Sequence, residues 1–292
     1  MIDTVQRAKQ ALWDSYRKLN PDIEVDPKGY INDSKKNLLQ LEWMELIKED
    51  YRQVGGKELE FKFRAIHSSA VLVANNFARF KQESHRLTIL DRSGFNIPVF
   101  EKQLPTGLRG IPPNLDVFLE NRDCCIAIES KLLETLSLKK PHFSPSYRKD
   151  RLPYCEPQWW KFIESAPNAL EGYLDTAQLV KHYLGLLRHV QKKIDRKPIL
   201  LYLFWKPVNA SEIEEYQKHE GEIKDFKNRV VGSCVEFVPM SYPELWEAWR
   251  KEPGLVEHAR QQARKSGLKR SDVDAAVAKV RGRKWRQMEA KG

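Results

Sequence analysis

Three charged side chains accompany two predicted strands in the segment PPNLDVFLENRDCCIAIESK, residues 112–131. Asp116 lies early in the first strand, whereas Glu129 and Lys131 follow the apolar run CCIAI. Because side chains alternate along a strand, Glu129 and Lys131 share one face. Carboxylates bind hard divalent cations such as Mg²⁺, and an ammonium group stabilises charge on a phosphate. These residue types at this spacing predict metal-assisted hydrolysis of a phosphodiester.

The connection between the two strands decides whether these side chains can meet. A two-residue turn within ENRD, residues 120–123, predicts a hairpin in which Asp116 lies opposite Ala127. Asp116 is then a diagonal neighbour of Glu129 on the same face, about 7–8 Å away, and the Ser130 carbonyl offers a third oxygen. A slip of one residue would turn Asp116 to the other face. The alternative is a surface hairpin that ends in an ordinary glutamate–lysine pair.

The rest of the chain predicts the elements that would position this hairpin. Apolar periodicity indicates two helices within residues 1–52, one over residues 67–80 and one over residues 166–193. Prolines without periodicity predict a long surface loop over residues 139–160. The order favours an α/β (α+β) fold in which helices flank a mixed central β-sheet. The strand patterns are NIPVFEKQL, NLDVFLEN, CCIAIESKLL, KPILLYLFWKP and SCVEFVPM, with a last helix at SYPELWEAWRK.

Positive charge is concentrated near the C-terminus. The net charge is +10, and residues 258–292 hold eleven Lys and Arg against three Asp and Glu. This division and the helix patterns predict a helical N-terminal extension over residues 1–55, a catalytic domain over 56–250 and a basic helical tail over 251–292. A basic tail favours nucleic acid as a partner, although a solvated charged helix fits the composition equally well.

Composition excludes several classes of protein. With 41% hydrophobic and 31% charged residues, the chain is typical of a globular protein. It does not open with a secretory signal pattern, and no apolar run is long enough to span a membrane. The four cysteines lack disulfide or zinc-site spacing, so we expect reduced thiols and a cytoplasmic location. Without a P-loop or a dinucleotide-binding pattern, an NTP-driven motor is not expected.

The motif PPNLD followed by IAIESK resembles that of the PD-(D/E)XK nuclease superfamily, which includes restriction endonucleases. HSSAVLVANNF, YLDTAQLVKHYLGL and ILLYLFWKP are similar to segments of a bacterial restriction-endonuclease-like branch, so the resemblance covers residues 60–245. It implies a restriction-endonuclease-like core, Asp116 and Glu129 as metal ligands, and Lys131 as the catalytic lysine. It also implies Mg²⁺, with Mn²⁺ as an alternative, and DNA as the substrate. Pro113 is the motif proline, separated from the aspartate by two residues.

Further polar residues are candidates for supporting roles. The superfamily often places another acid on the helix before the sheet, but residues 68–80 contain none. Glu101 on the preceding strand and Glu60 ahead of the helix are the substitutes to test. Gln178, with Lys181 and His182 one turn on, resembles the polar helix positions that line the active site in some members of the superfamily. The alternative for Gln178 is a helix flank that faces solvent.

Contacts with nucleic acid are predicted for a wider set of residues. Two of them lie at a helix N-terminus, where free amides favour anions, although a plain helix cap is the simpler interpretation. The proline-rich loop mixes basic and aromatic residues, as strand-gripping segments do, but packing is the better interpretation for Trp159 and Trp160. The predicted contacts are His67, Ser69, Lys181, Arg148, Lys149, Arg281, Arg283 and Lys284.

Together with the resemblance, these patterns predict a Mg²⁺-dependent endodeoxyribonuclease that hydrolyses DNA phosphodiester bonds at a D…ExK site. Two alternatives stay open: a non-catalytic nucleic-acid-binding protein that uses the basic tail, and an RNase of the same fold. A homodimer is also open, because cutting both strands of DNA often requires two active sites. No membrane partner is expected.

Overall fold

A mixed five-stranded β-sheet is the centre of the computed structural model, which describes residues 3–53, 59, 61–191 and 196–251. The strands follow one another across the sheet in chain order. They are β1 Val99–Gln103, β2 Asn114–Glu120, β3 Cys124–Lys131, β4 Lys197–Phe204 and β5 Glu236–Ser241. β3 and β4 are buried along most of their length, which explains their nearly uninterrupted apolar sequences.

Seven α-helices are present within the described part of the chain. They are α1 Thr4–Leu19, α2 Trp43–Arg52, α3 Ser69–Phe77, α4 Pro157–Ser165, α5 Thr176–Val190, α6 Glu214–Arg229 and α7 Tyr242–Lys251. Side chains of Asp3, Ser68 and Asp175 accept main-chain hydrogen bonds at the starts of α1, α3 and α5. Such caps satisfy amides that the first helical turn leaves without partners.

The two halves of the sheet differ in strand direction. β1, β2 and β3 pair antiparallel, whereas β3, β4 and β5 pair parallel. Parallel neighbours need a crossover connection, and helices supply both. α4 and α5 lead from β3 to β4, and α6 leads from β4 to β5. The predicted α/β fold with a mixed central sheet is therefore confirmed.

The proline-rich segment ends in a helix that lies within the predicted loop. The loop predicted over residues 139–160 is wrong at its end, because α4 begins at Pro157. Proline in the first helical turn, with Trp159 and Phe162 buried at helical spacing, is the sequence signal of this helix. Trp159 stacks on Tyr183 with ring centres 4.0 Å apart, as expected for packing rather than for an exposed nucleic-acid contact.

Two other helices also differ from the prediction. α5 begins at Thr176 rather than at residue 166, because the Asp175 side chain caps it there. α6 lies where no helix is predicted. Its sequence is mostly charged, and the apolar stripe that would reveal it is narrow. The buried residues of α6 are Tyr216, His219, Ile223 and Phe226.

The hairpin of β2 and β3 has a different register from the predicted one. Phe118, not Asp116, lies opposite Ala127. Continuing this register along β2 places Asp116 directly across from Glu129. A shift of two residues keeps every side chain on its predicted face. The predicted diagonal spacing is therefore wrong, but the shared face of the two acids is retained.

The side chain of Asn121 causes this change of register. Its Oδ1 accepts hydrogen bonds from the main-chain N–H groups of Asp123 and Cys124, at 2.9 and 2.8 Å. The N–H of Asn121 donates to the carbonyl of Cys124 at 3.0 Å. These bonds centre the turn on Arg122 and Asp123 instead of Asn121 and Arg122.

Helix α5 packs on the sheet face that carries the two acids. Burial of each large apolar side chain contributes about 1.5–3 kcal/mol, so this contact fixes the helix over the strands. One apolar cluster joins the strands to the helix and includes Phe118, Cys125, Ala127, Leu179, Val180 and Tyr183.

The chain divides into two compact units. Residues up to Pro243 form the first unit, which contains the sheet and the described N-terminal residues. The second unit begins at Glu244, and α7 supplies its described residues. The predicted basic tail lies, apart from Lys251, outside the described residues. None of the described helices is long and apolar enough to cross a membrane.

Candidate active site

The charged side chains of the motif come together at one end of β2 and β3. Lys131 Nζ lies 2.5 Å from Glu129 Oε1. Asp116 Oδ2 accepts a hydrogen bond from the main-chain N–H of Ser130 at 2.6 Å. Because the N–H and C=O of one strand residue point to the same neighbouring strand, the Ser130 carbonyl also faces β2. The site thus collects two carboxylates, one main-chain carbonyl and one ammonium group.

Helix α5 brings two further polar side chains to this place. Gln178 Oε1 accepts a hydrogen bond from Lys131 Nζ at 2.9 Å. His182 Nε2 lies 2.8 Å from Glu129 Oε2, and both side chains are buried. Residues four apart share one face of a helix, so one turn of α5 reaches both charged groups of β3. Asp175 accepts a hydrogen bond from the N–H of Gln178 at 2.9 Å and fixes it in the first turn.

Burial and neighbouring charges move the pKa values of the two acids in opposite directions. Burial, followed by the negative charges of Glu129 and Glu101, raises the pKa of Asp116 well above its ordinary value. Burial also disfavours charge on Glu129, but the positive charge of Lys131 and the interactions with His182 outweigh it and lower its pKa. The excess of negative charge around Asp116 is one that a bound cation would compensate.

The same balance keeps Lys131 positively charged. Burial alone would lower the pKa of its ammonium group, but the charges of Glu129 and Asp116 outweigh burial and raise it. Lys131 can therefore donate hydrogen bonds and supply positive charge, whereas it is a poor acceptor of protons at neutral pH.

Glu101 approaches the site from β1, which lies at the edge of the sheet. Its position is directly across from Asp116, because the preceding Phe100 pairs with Val117. Glu101 is 5% exposed, and its φ of 50° lies in the left-handed region that few non-glycine residues adopt. Its charge is one of those that raise the pKa of Asp116. The structure therefore places a third acid beside the two that the motif supplies.

The donor set suits a hard divalent cation. Mg²⁺ prefers oxygen ligands and keeps several waters, so two carboxylates and a main-chain carbonyl suffice to hold it. Both oxygens of Glu129 are engaged in this structure, one by Lys131 and one by His182. Within the described residues, no three His, Cys, Asp or Glu side chains form a group that could hold a metal ion by themselves. A cation would share Glu129 with these two partners and relieve the repulsion around Asp116.

Two residues predicted to contact phosphate at the start of α3 have protein partners. His67 Nδ1 lies 3.4 Å from Trp13 Nε1, and the His67 ring packs edge-on against Tyr30. Ser69 Oγ donates to Glu134 Oε1 at 2.7 Å. Contacts of His67 and Ser69 with nucleic acid stay a prediction.

The other predicted nucleic-acid contacts are dispersed. Lys181 Nζ lies 5.6 Å from the centre of the Phe143 ring. Arg148 is exposed and pairs with Asp150 at 3.0 Å, and Lys149 is exposed beside it. These contacts do not include the acids of the site, and the role of these residues stays a prediction. Glu60, Arg281, Arg283 and Lys284 lie outside the described residues.

Two further residues lie beside the acids. The sequence offers both Lys181 and His182 one helical turn after Gln178, and it is His182 that contacts Glu129. Asn114 Nδ2 donates to Glu101 Oε2 at 2.7 Å. No sequence pattern indicates this second contact, because it joins two strands and depends on the local backbone of β1.

Comparison with known proteins identifies the family of the chain. The model of a family described as restriction endonuclease associating with ARP matches residues 9–265. No curated protein and no solved structure shows significant similarity to the chain. The matched range contains all five strands and the three charged residues of the motif. The predicted likeness to restriction endonucleases is confirmed, and it indicates a nuclease. The chain belongs to the family of restriction endonucleases associating with ARP.

Proposed function

We propose that the protein is a Mg²⁺-dependent endonuclease that hydrolyses phosphodiester bonds of DNA. The observation that carries this proposal is the placement of Asp116 directly across from Glu129, with Lys131 paired to the glutamate. Membership of a restriction endonuclease family supports hydrolysis of DNA over a purely structural role.

Each residue of the site has a distinct task in this proposal. Asp116, Glu129 and the Ser130 carbonyl hold the metal ion. When bound, the ion supplies positive charge that makes water more acidic and stabilises charge on the phosphate. Lys131 remains an ammonium group, so it orients the attacking water and neutralises developing charge, rather than acting as a general base.

Two residues of α5 position these groups. Gln178 accepts a hydrogen bond from Lys131 and so directs the ammonium group. His182 holds the second oxygen of Glu129 and fixes the plane of that carboxylate. Such partners of metal ligands orient the ligands before the metal binds.

Incubation of plasmid DNA with the full chain tests the proposal. We expect nicked or linear DNA in Mg²⁺ or Mn²⁺ and intact plasmid in EDTA. Glu129→Gln should abolish cleavage, while circular dichroism and DNA binding show that the variant remains folded. An RNA of the same sequence, incubated in parallel, distinguishes DNA from RNA as the substrate. Cleavage that persists in EDTA or in Glu129→Gln would contradict the proposed site.

A further inference from the structure

Asn114 connects β1 and β2 beside the site. Its Nδ2 donates to Glu101 Oε2 at 2.7 Å, and its Oδ1 accepts from Gln103 Nε2 at 2.8 Å. Gln103 is also the cross-strand partner of Asn114. Because the amide both donates and accepts, these two bonds fix which of its atoms faces Glu101.

Glu101 has a backbone conformation that its surroundings must maintain. Its φ is 50°, yet regular β1–β2 pairing is present on both sides of it, so the distortion is confined to this residue. Non-glycine residues keep such conformations only where neighbouring contacts determine them, often at functional sites. The hydrogen bond from Asn114 is one such contact, and burial of Glu101 is a second.

The distortion lies beside the acid that the motif places on β2. Position 101 is across from Asp116 in the register of β1 and β2. Asn114 precedes Asp116 by two residues, and therefore lies on the same face. The Glu101 carboxylate is thus tied to the strand that carries Asp116, on the side opposite Glu129.

We propose that Asn114 is a positioning residue that presents the Glu101 carboxylate to the cation held by Asp116 and Glu129. Strand β1 then supplies the third acid of the site, in a chain whose α3 carries no acidic residue. This inference rests on the metal-dependent function proposed above. Loss of a residue that orients a metal ligand commonly weakens metal binding by about 10–100-fold.

Mn²⁺ binding to the full chain, measured by isothermal titration calorimetry, tests the role of Asn114. We expect Asn114→Ala to weaken binding about tenfold, and Glu101→Gln at least as much. The double variant should bind no more weakly than Glu101→Gln alone, because Asn114 acts through Glu101. Cleavage by Asn114→Ala should need more Mn²⁺ for its half-maximal rate but recover at saturating Mn²⁺, which a general folding defect would not allow.

A second variant keeps the test decisive if Asn114→Ala does not fold. Gln103→Ala leaves the bond to Glu101 in place but removes the partner that orients the amide, so we expect a smaller loss in the same direction. Unchanged Mn²⁺ affinity in the folded Asn114→Ala protein would overturn the inference. Additive losses of Mn²⁺ affinity in the double variant would also overturn it. If Asn114→Ala is unfolded, unchanged Mn²⁺ affinity in Gln103→Ala would overturn it.

Asp116→Asn separates failure of this inference from failure of the proposed function. If Asp116→Asn abolishes Mn²⁺ binding while Asn114→Ala leaves it unchanged, only the role of Asn114 is wrong. If Asp116→Asn also binds Mn²⁺ like the unaltered protein, the proposed metal site itself is wrong.

Discussion

Two buried histidines contact neighbouring residues on one face of the sheet, and their partners differ in charge. His182 of α5 lies 2.8 Å from the Glu129 carboxylate, whereas His219 of α6 lies 2.9 Å from the Tyr202 hydroxyl. Glu129 and Tyr202 are themselves partners across β3 and β4. Glu129 and Tyr202 thus form one row across the two strands. Its charged half is Glu129 with Lys131 and His182, and its neutral half is Tyr202 with His219.

The neutral half is built for packing. Burial lowers the pKa of His219 to about 4, so its ring is uncharged near neutral pH. Aromatic rings of Tyr202 and Phe204 surround it, and its Nδ1 has no hydrogen-bond partner within the described residues. Burial and one hydrogen bond are thus common to both histidines. What marks His182 as a candidate for function is its partner, an acid next to a lysine.

Removing the positive charge of the charged half is expected to have a larger effect than replacing either histidine. Lys131→Ala should lower the rate of DNA cleavage by about 10²–10³-fold, because the transition state loses a positioned positive charge. Lys206→Ala is the matched control, since Lys206 pairs with Glu220 outside the site. Initial rates on plasmid DNA measure the effect. Similar rates for the two variants would contradict the assignment of Lys131.

Replacing each histidine by alanine tests whether the two histidines differ in function. His182→Ala should lower cleavage about 10–100-fold, because Glu129 loses the partner that orients it. His219→Ala should leave the cleavage rate unchanged and lower the free energy of unfolding by about 1–3 kcal/mol. Cleavage assays and urea unfolding of both variants separate the two outcomes. Loss of cleavage in His219→Ala with a normal rate in His182→Ala would show that His219, and not His182, supports cleavage.

The pH dependence of the free energy of unfolding tests whether His219 is uncharged in the folded protein. The ordinary pKa of histidine is 6.5, and burial lowers that of His219 to about 4. Between these values the unfolded chain binds a proton that the folded chain does not, so stability falls as pH decreases. The slope that His219 contributes is about 1 kcal/mol per pH unit. In urea unfolding between pH 7 and pH 4, the free energy of unfolding of His219→Phe should fall less steeply than that of the unaltered protein. Equal slopes would refute this role of His219.

The smallest effect is expected away from this row, at an exposed basic residue. Lys149→Ala should weaken DNA binding slightly and reduce the salt dependence of log K by about one unit, as loss of one phosphate contact does. Arg148→Ala should change it less, because Asp150 already pairs with Arg148. Binding measured over a series of salt concentrations tests this prediction. An unaltered slope in Lys149→Ala would remove this loop from the DNA interface.

The strands of the site were predictable because their signals are local. Alternation and apolar runs mark β2 and β3, and parity alone puts Asp116 on the face of Glu129. The register was not predictable, because it depends on which main-chain groups the Asn121 side chain accepts from. The predicted register was wrong by two residues. This changed the expected distance between Asp116 and Glu129 but kept both acids on one face of the sheet.

Contacts between elements distant in sequence explain what could not be predicted. Whether His182 or Lys181 points at Glu129 depends on how α5 rotates as it packs on the sheet. The conformation of Glu101 depends on an amide from another strand. α6 escaped prediction because its buried side chains are spread thinly among charged ones.

Anomalous scattering from crystals of the protein soaked in Mn²⁺ tests whether Asp116 and Glu129 bind a divalent cation. We expect a Mn²⁺ peak with carboxylate oxygens of both Asp116 and Glu129 in direct coordination, at about 2.0–2.6 Å. A bound ion that contacts neither carboxylate would contradict this expectation.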